Sequence, residues 1–459
     1  MNTARVQQLD DPSPSGERLP NHGWRQLRLK YVFRTIYRYP TYFDIEYVAT
    51  GVPEVRGEAL SEDGTIVELT DQRYISEETN ARFPRTTLRL NDLVMSVRGT
   101  MGKIGVVGPT HVGANITANL IRLEPDPDLA ESRYLSYLLR SWYFAAELDR
   151  ISPQTTIKTI TVPQLSSFTL PIPPLSTQRT ITEFLDAATS RVAILVEKKD
   201  LLITLLEEKR AALINRAVTK GLDLSAPMKD SGIPWLGPVP ARWTLAPIGS
   251  RYCVQLGKML DSNRITGEHL APYLRNVDVQ WDRINTVELP EMDFPPDDQD
   301  RYRLRQGDLL VCEGGDVGRC ATWDSPIPEC FYQKALHRLR PLTQSEHPRF
   351  LYYCLRAAAG AGLFMAEGNP NTIDHLTAEK LKKHRLPFPS GAEQAEIACA
   401  LDRETARIDT IITKTREQIA KFHEYRTALI SAAVTGKIDV RARPAASAEI
   451  DKVSPIDEH

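Results

Sequence analysis

Two long stretches of the chain repeat apolar residues at alternating gaps of four and three. In the first stretch the positions are Ile181, Leu185, Ala188, Val192, Leu195, Leu202, Leu206, Leu213 and Ala217. In the second they are Ile397, Leu401, Ile408, Ile411, Phe422, Tyr425, Leu429 and Ala433. This is the spacing of a coiled-coil seam. It predicts one helix from about Thr177 to Thr219 and another from about Gly391 to Thr435. Pro173 and Pro174 bar the first helix from starting earlier. Each would be on the order of 60 Å long at ~1.5 Å per residue. Ser390 and Glu393 have capping-box spacing, whereas Ser176 is followed at the matching place by Arg179, so only half of that signal repeats. Lys199, Lys209, Glu404, Thr415 and Gln418 interrupt the stripes and are placed to fix register. An apolar stripe alone is usually just a packing face. Here the simplest partner for each stripe is the other helix.

Outside the helices the pattern shortens to β-rich runs such as GTIVELT (64–70) and LRNVDVQW (274–281), punctuated by glycine turns. These runs come twice. NDLVMSVRGTMGKIGVV (91–107) matches GDLLVCEGGDVGRCATW (307–323) at an offset of 216, taken from Asp92 to Asp308. The offset puts Gly99 on Gly315, Gly102 on Gly318 and Lys103 on Arg319, and it continues without a gap through RYLSYLLR (133–140) on RFLYYCLR (349–356). LPIP (170–173) falls on LPFP, Gln178 on Gln394, and ALINRAVT (212–219) on ALISAAVT. A register held that long is an internal duplication. Upstream the copies diverge: Tyr47 stands 45 positions before Asp92, and Tyr273 stands 35 before Asp308. A fixed scaffold with a variable insert is expected where each copy reads something different.

The expected architecture is α/β (α+β): two similar modules at 20–174 and 235–389, each followed by a long helix at 175–222 and 390–438, with a linker at 223–234. The first helix leads into module two and the second leads out of it. The pair is therefore expected to run antiparallel, with an approximate twofold relation between copies. Segments 1–19 and 439–459 are expected to be disordered.

Composition narrows the functional classes. The 459 residues are 42% hydrophobic, enough for two to four cores. The net charge is −2, so a nucleic-acid surface must be a local patch and not a global excess. No apolar run approaches the ~20 residues of a membrane helix, and the first residues lack a signal-peptide core. We read the chain as cytoplasmic. The six cysteines, Cys253, Cys312, Cys320, Cys330, Cys354 and Cys399, form no CxxC pair and read as free thiols, with no metal site expected.

MKDSGIPWLGPVPARW (228–243), YLRNVDVQW (273–281), GDLLVCEGGDVGR (307–319), LPFPSGAEQAEI (386–397) and ALISAAVTGKIDV (428–440), in this order, resemble the specificity subunit of type I restriction–modification systems, over about residues 20–440. The first copy departs in part, with TKG (219–221) where the second has TGK (435–437). The resemblance implies two target-recognition domains, each reading half of a bipartite double-stranded DNA site. It implies helices that act as spacer and as docking surface for two modification (methyltransferase) subunits that methylate adenine. Restriction (translocase/nuclease) subunits join the larger complex. S-adenosylmethionine, ATP and Mg are expected on those partners, with no cofactor and no catalysis on this chain.

Specific reading needs Arg, Lys, Asn or Gln at base edges and basic groups on phosphates. The candidates in module one are Arg73, Arg82, Arg85, Arg98 and Lys103; in module two they are Arg275, Asn276, Arg303, Arg319 and Lys334. Lys103 and Arg319 share one repeat position after a glycine, which suits a phosphate contact common to both copies. For each candidate an ordinary solvated surface role is the competing reading. Two other functional classes compete with this one. One is a protein-only coiled-coil adaptor, which the seam alone would support. The other is a self-contained methyltransferase, which would need an Asn-Pro-Pro-aromatic motif and a glycine loop after a strand. Asn369-Pro370 continues instead with Asn371-Thr372, and GAGLF (360–364) follows a helix-like stretch.

Overall fold

The four-and-three spacing becomes two long helices, Leu175–Lys220 and Gly391–Val434. The structure is a computed structural model that describes residues 23–39, 45–151, 159–259, 266–324, 326–364 and 375–442. The expected disordered start (1–19), most of the tail and Asn369-Pro370 lie outside these residues. The tail is corrected at its start: Val440 is buried in a core and sits in a turn at Val440–Ala442.

Contacts divide the chain into two units, Met1–Lys199 with Arg416–His459, and Asp200–Thr415. In the first unit β1 (Phe33–Tyr37), β2 (Leu93–Ser96), β3 (Ile104–Val106) and β4 (Leu120–Pro125) form an antiparallel sheet in the order β1-β4-β2-β3. In the second unit β5 (Tyr252–Leu256), β6 (Leu309–Cys312), β7 (Cys320–Thr322) and β8 (Leu336–Pro341) form an antiparallel sheet in the order β5-β8-β6-β7. The register repeats residue for residue among β2, β3 and β4 and among β6, β7 and β8, while the β1–β4 pair has a register shift between Phe33 and Thr35 that the β5–β8 pair lacks. Leu93 faces Leu123 as Leu309 faces Leu339, and Met95 faces Ile121 as Val311 faces His337. Both faces of each sheet are covered, so the central strands read as continuous apolar runs without alternation. Leu93 and Met95 join one core and Val94 another; Leu309 and Val311 join one and Leu310 another.

Each unit has a second, smaller sheet. In the first unit Val52–Val55 lies parallel to Asn115–Ile116 and antiparallel to Tyr74–Ile75. In the second, Leu270–Leu274 lies parallel to Phe331–Tyr332 and antiparallel to Glu291–Asp293. The pairings equate Glu54 with Tyr273 and Tyr74 with Glu291. The divergence between copies is therefore narrower than the Tyr47 and Tyr273 landmarks suggest, because Tyr47 belongs to an extra strand, Tyr47–Val48. Most of GTIVELT stays irregular, contributing only a bridge from Ile66 to Leu60. The linker folds as a short hairpin, Met228–Asp230 on Pro238–Pro240.

Within each unit the helical segments run in opposite directions. In the first, Ile181, Leu185 and Ala188 share a core with Leu429, Ile430 and Ala433, then Val192 packs on Phe422. Next along the helix, Lys199 Nζ donates to Gln418 Oε1 at 2.6 Å. Two predicted interruptions thus meet each other. In the second unit Ile214, Ala217 and Val218 share a core with Ile397 and Leu401, and Arg210 pairs with Asp409. The seam departs from the predicted stripe at two places. Leu202 and Ile411 are each 40% exposed, while Ile412 is buried and Ile203 half-buried. The true seam of the second helix keeps strict heptad spacing through Leu401, Thr405, Ile408, Ile412 and Thr415. Following apolar residues alone skips the threonines and slips by one. Their hydroxyls are satisfied within the helix, Thr405 on the Leu401 carbonyl at 2.7 Å and Thr415 on Ile411 at 2.8 Å. Leu195, Leu206 and Leu213 are half-buried.

At the helix starts only half a capping box forms. The Glu393 N–H donates to Ser390 Oγ at 3.3 Å, but the Glu393 carboxylate accepts from Trp243 Nε1 at 3.0 Å and pairs with Arg242. At the C-terminal ends, Gly221 (φ 75°) and Gly436 (φ 73°) supply the left-handed residue that stops each helix. That stop explains the transposition of TKG to TGK.

Candidate nucleic-acid interface

The glycine loop that joins β2 to β3 and β6 to β7 is the same object twice. Gly99 and Gly315 both have φ 77°, and Gly102 and Gly318 both have φ 83°. The Gly102 N–H donates to the Ser96 carbonyl at 2.9 Å, and the Gly318 N–H to the Cys312 carbonyl at 3.1 Å. The side chains on this shared backbone differ. Lys103 is half-buried, and no side-chain partner is found for it among the described residues. Arg319 turns inward, donating to the Asn276 side-chain oxygen at 2.9 Å and backbone oxygen at 3.0 Å. Asn276 in turn donates to the Gly314 carbonyl at 3.0 Å. Arg275 makes a two-pronged pair with buried Asp278, at 2.9 Å on each oxygen. In the second copy the group at this position is hydrogen-bonded within its own fold, as are Asn276 and Arg275, so the phosphate contact expected of both copies falls on side chains in different surroundings.

The remaining candidates face water. Arg303 pairs with Glu329 at 3.2 Å with both groups nearly half exposed, and Lys334 is exposed without a side-chain partner among the described residues. Arg98 is exposed beside Gly99. Arg82 ends a short helix, Glu77–Arg82, and touches Thr79. The Arg85 guanidinium stacks 4.2 Å from the Tyr37 ring centroid.

Arg73 stands in the smaller sheet's variable region, on an open depression of about 430 Å³ lined by Tyr47, Val48, Ala49, Gln72, Arg73 and Tyr74. Its guanidinium lies 5.9 Å from the centroid of the Tyr47 ring. Behind it Glu54 is only 2% exposed. Tyr47 Oη donates to the Glu54 carboxylate, with its oxygens at 3.3 and 3.4 Å. Burial pushes the Glu54 carboxyl above its ordinary range, against the pull of Tyr47, Arg73 and Arg56. Sequence alone does not join Tyr47 to Glu54: an aromatic and a lone carboxylate carry no motif until strand pairing brings them together.

Gly360 ends the helix Pro348–Gly360 and Gly362 comes just after it, so the glycines of GAGLF do not form a loop after a strand. Burial raises the Cys312 thiol to about 11 and the Cys330 thiol to about 12, far from reactive thiolates. Among the described residues no helix is long and apolar enough to cross a membrane.

A duplicated α+β frame whose copies keep one backbone and differ in the polar side chains mounted on it defines a two-module recognition protein. The chain belongs to the type I restriction modification DNA specificity domain family, whose pattern matches residues 51–203 and again 256–421. It is similar to the putative type I restriction enzyme MjaX specificity subunit of Methanocaldococcus jannaschii, 21% identical over 85% of this chain and 88% of that one. A shorter match, 27% identical, joins it to the EcoBI specificity subunit of Escherichia coli over about a quarter of each, 25% of this chain and 24% of that one. Two solved structures share the fold. One is a chain from work on complex assembly and conformational transition of the type I R-M system, with a TM-score of 0.70 and 20% identity, over 92% of this chain and 100% of that chain. The other is the HsdS subunit from Thermoanaerobacter tengcongensis, with a TM-score of 0.55 and 19% identity, over 92% of this chain and 99% of the other.

Proposed function

We propose that this specificity subunit reads a bipartite double-stranded DNA site, one half per copy, and that its long helices carry two adenine methyltransferase subunits. The observation that carries the reading is the repeated central-strand register and glycine loop with different residues mounted on it, Lys103 against Arg319 and Arg98 against Gly314. One frame bearing two chemistries is what two different half-sites require. Joining two readers in one chain also raises affinity through effective concentration. The docking role is supported by Leu201, Leu202 and Leu205, which are 58%, 40% and 52% exposed on the first long helix, and by Ile411, 40% exposed on the second. Leucines clustered in water favour a protein partner. S-adenosylmethionine, ATP and Mg²⁺ belong to partner subunits in this reading, restriction subunits complete the assembly in the cytoplasm, and this chain does no chemistry of its own.

The test is a genome-wide map of methylated adenines in cells with and without the chain. One bipartite motif should appear or vanish with it. A salt-dependent gel shift with the modification subunit present separates this reading from a protein-only adaptor, which would leave DNA unshifted.

A further inference from the structure

The two copies can be compared at the place where their smaller sheets carry different residues on the same backbone. In the first unit the Glu54 N–H donates to the Arg73 carbonyl at 2.9 Å; in the second the Tyr273 N–H donates to the Pro290 carbonyl at 3.0 Å. Glu54 therefore stands where the other copy has Tyr273, and Arg73 where it has Pro290. The sheet needs neither a carboxylate nor an arginine there, since the second copy forms the same pairing without them.

In the first copy these two residues and Tyr47 form a connected set. Glu54 is 2% exposed, and no basic group of the described residues lies within ion-pair distance of it. A buried carboxylate without a close counter-ion is costly. Its negative charge acts on Arg73, and it accepts from the Tyr47 hydroxyl. Tyr47, half exposed, also lies alongside the Arg73 guanidinium. Arg73 itself is exposed at the edge of the depression. An exposed guanidinium flanked by a ring and drawn by a nearby negative charge offers a planar N–H edge. A planar N–H edge of this kind fits the O6 and N7 acceptors that guanine presents in the major groove.

We propose that Arg73, flanked by the Tyr47 ring and drawn by the charge of Glu54, reads a guanine in the half-site bound by the first copy. This rests on the reading of the chain as the DNA-reading subunit. Arg73 is the specificity-determining group, and Tyr47 and Glu54 are positioning residues.

The experiment maps methylated adenines at single-base resolution in cells carrying the complete system with wild-type chain, Arg73→Ala, Arg73→Lys, Glu54→Gln or Tyr47→Phe. Arg73→Ala and Arg73→Lys should relax one guanine position in one half of the motif, with discrimination there falling roughly 10- to 100-fold, while the other half stays intact. Glu54→Gln and Tyr47→Phe should relax the same position more weakly. A merely structural role would instead lower methylation at every position together. The inference is overturned if the wild-type motif has no guanine in either half, or if the Arg73 variants leave the motif unchanged. It is also overturned if both Arg73 variants abolish methylation, because the phosphate contacts outlast one lost base contact. Absence of any bipartite motif in wild type would instead refute the functional reading itself.

Discussion

The Arg319 guanidinium holds Asn276 by two hydrogen bonds, 2.9 Å to its side-chain oxygen and 3.0 Å to its backbone oxygen. Two residues with the chemistry of DNA readers are thereby joined to each other. Arg319→Ala should cost about 1–3 kcal/mol of stability in urea unfolding, because Asn276 loses its donors in a partly buried place. The repeat-equivalent change, Lys103→Ala, should leave stability within about 0.5 kcal/mol and weaken binding about equally on all DNA sequences, as a phosphate contact does. Selectivity lost at one base position in the Lys103 variant would show that the phosphate assignment is wrong.

Gln178 and Gln394 do one job in the two copies. Gln178 accepts from the Glu131 N–H at 2.9 Å and donates to the Pro173 carbonyl at 2.8 Å; Gln394 accepts from the His347 N–H at 2.9 Å and donates to the Pro389 carbonyl at 3.1 Å. Both amides are buried. Either Gln→Leu change orphans buried backbone groups and should cost about 3 kcal/mol, read as a shift in the urea midpoint. A cost below about 1 kcal/mol would mean that water replaces the amide.

The duplication, the long helices and the shared glycine loop were all legible in the sequence, because each repeats in fixed order at one offset. The loop conformation repeats with φ values that agree to the degree. What was illegible depends on contacts between distant residues. Nothing in the string distinguishes Arg319, tied to Asn276, from Arg98, which faces water. Glu54 looks like any surface carboxylate until Val52–Val55 is paired on both sides. The seam slipped by one at Ile411 because threonine, polar by composition, is buried at Thr405 and Thr415 with its hydroxyl turned back on its own helix.

The loop glycines should not tolerate substitution equally. A Cβ on Gly99 would meet nothing within 4 Å, while one on Gly318 would fall 2.4 Å from the Phe364 ring. Both have positive φ. Gly99→Ala should therefore cost only the left-handed strain, about 1–2 kcal/mol, and Gly318→Ala about 2–5 kcal/mol once overpacking is added. Thermal melts of the two variants should rank in that order.

His337 gives the fold a sign of pH dependence. Its ring is fully buried in β8, with Nε2 2.6 Å from the Leu376 carbonyl oxygen. A carbonyl only accepts, so Nε2 carries the proton and Nδ1 is bare. Nδ1 has no partner among the described residues. Burial holds the imidazole below its ordinary 6.5. As pH falls through 6.5 the unfolded chain takes up a proton that the folded chain refuses, so this contribution is present above 6.5 and is lost below it. Comparing wild type with His337→Gln in urea from pH 8 to pH 5.5 should show wild type losing more, by up to about 1.4 kcal/mol per pH unit. Equal slopes would mean that the ring titrates normally in the fold.

The long helices let stability and docking be separated. Phe422 is 1% exposed and packs on Val192, so Phe422→Ala should cost about 3–5 kcal/mol. Leu201 and Leu205 are more than half exposed, at 58% and 52%. Replacing both with Ser removes little buried area and should move the urea midpoint by less than about 1 kcal/mol in free energy. If the helices carry methyltransferase subunits through this surface, the double variant should lose co-purification of those subunits while keeping its fold. The leucine face is not the docking surface if the subunits are retained at wild-type stoichiometry. A variant that unfolds instead would place these side chains in the packing of the helices, against their exposure.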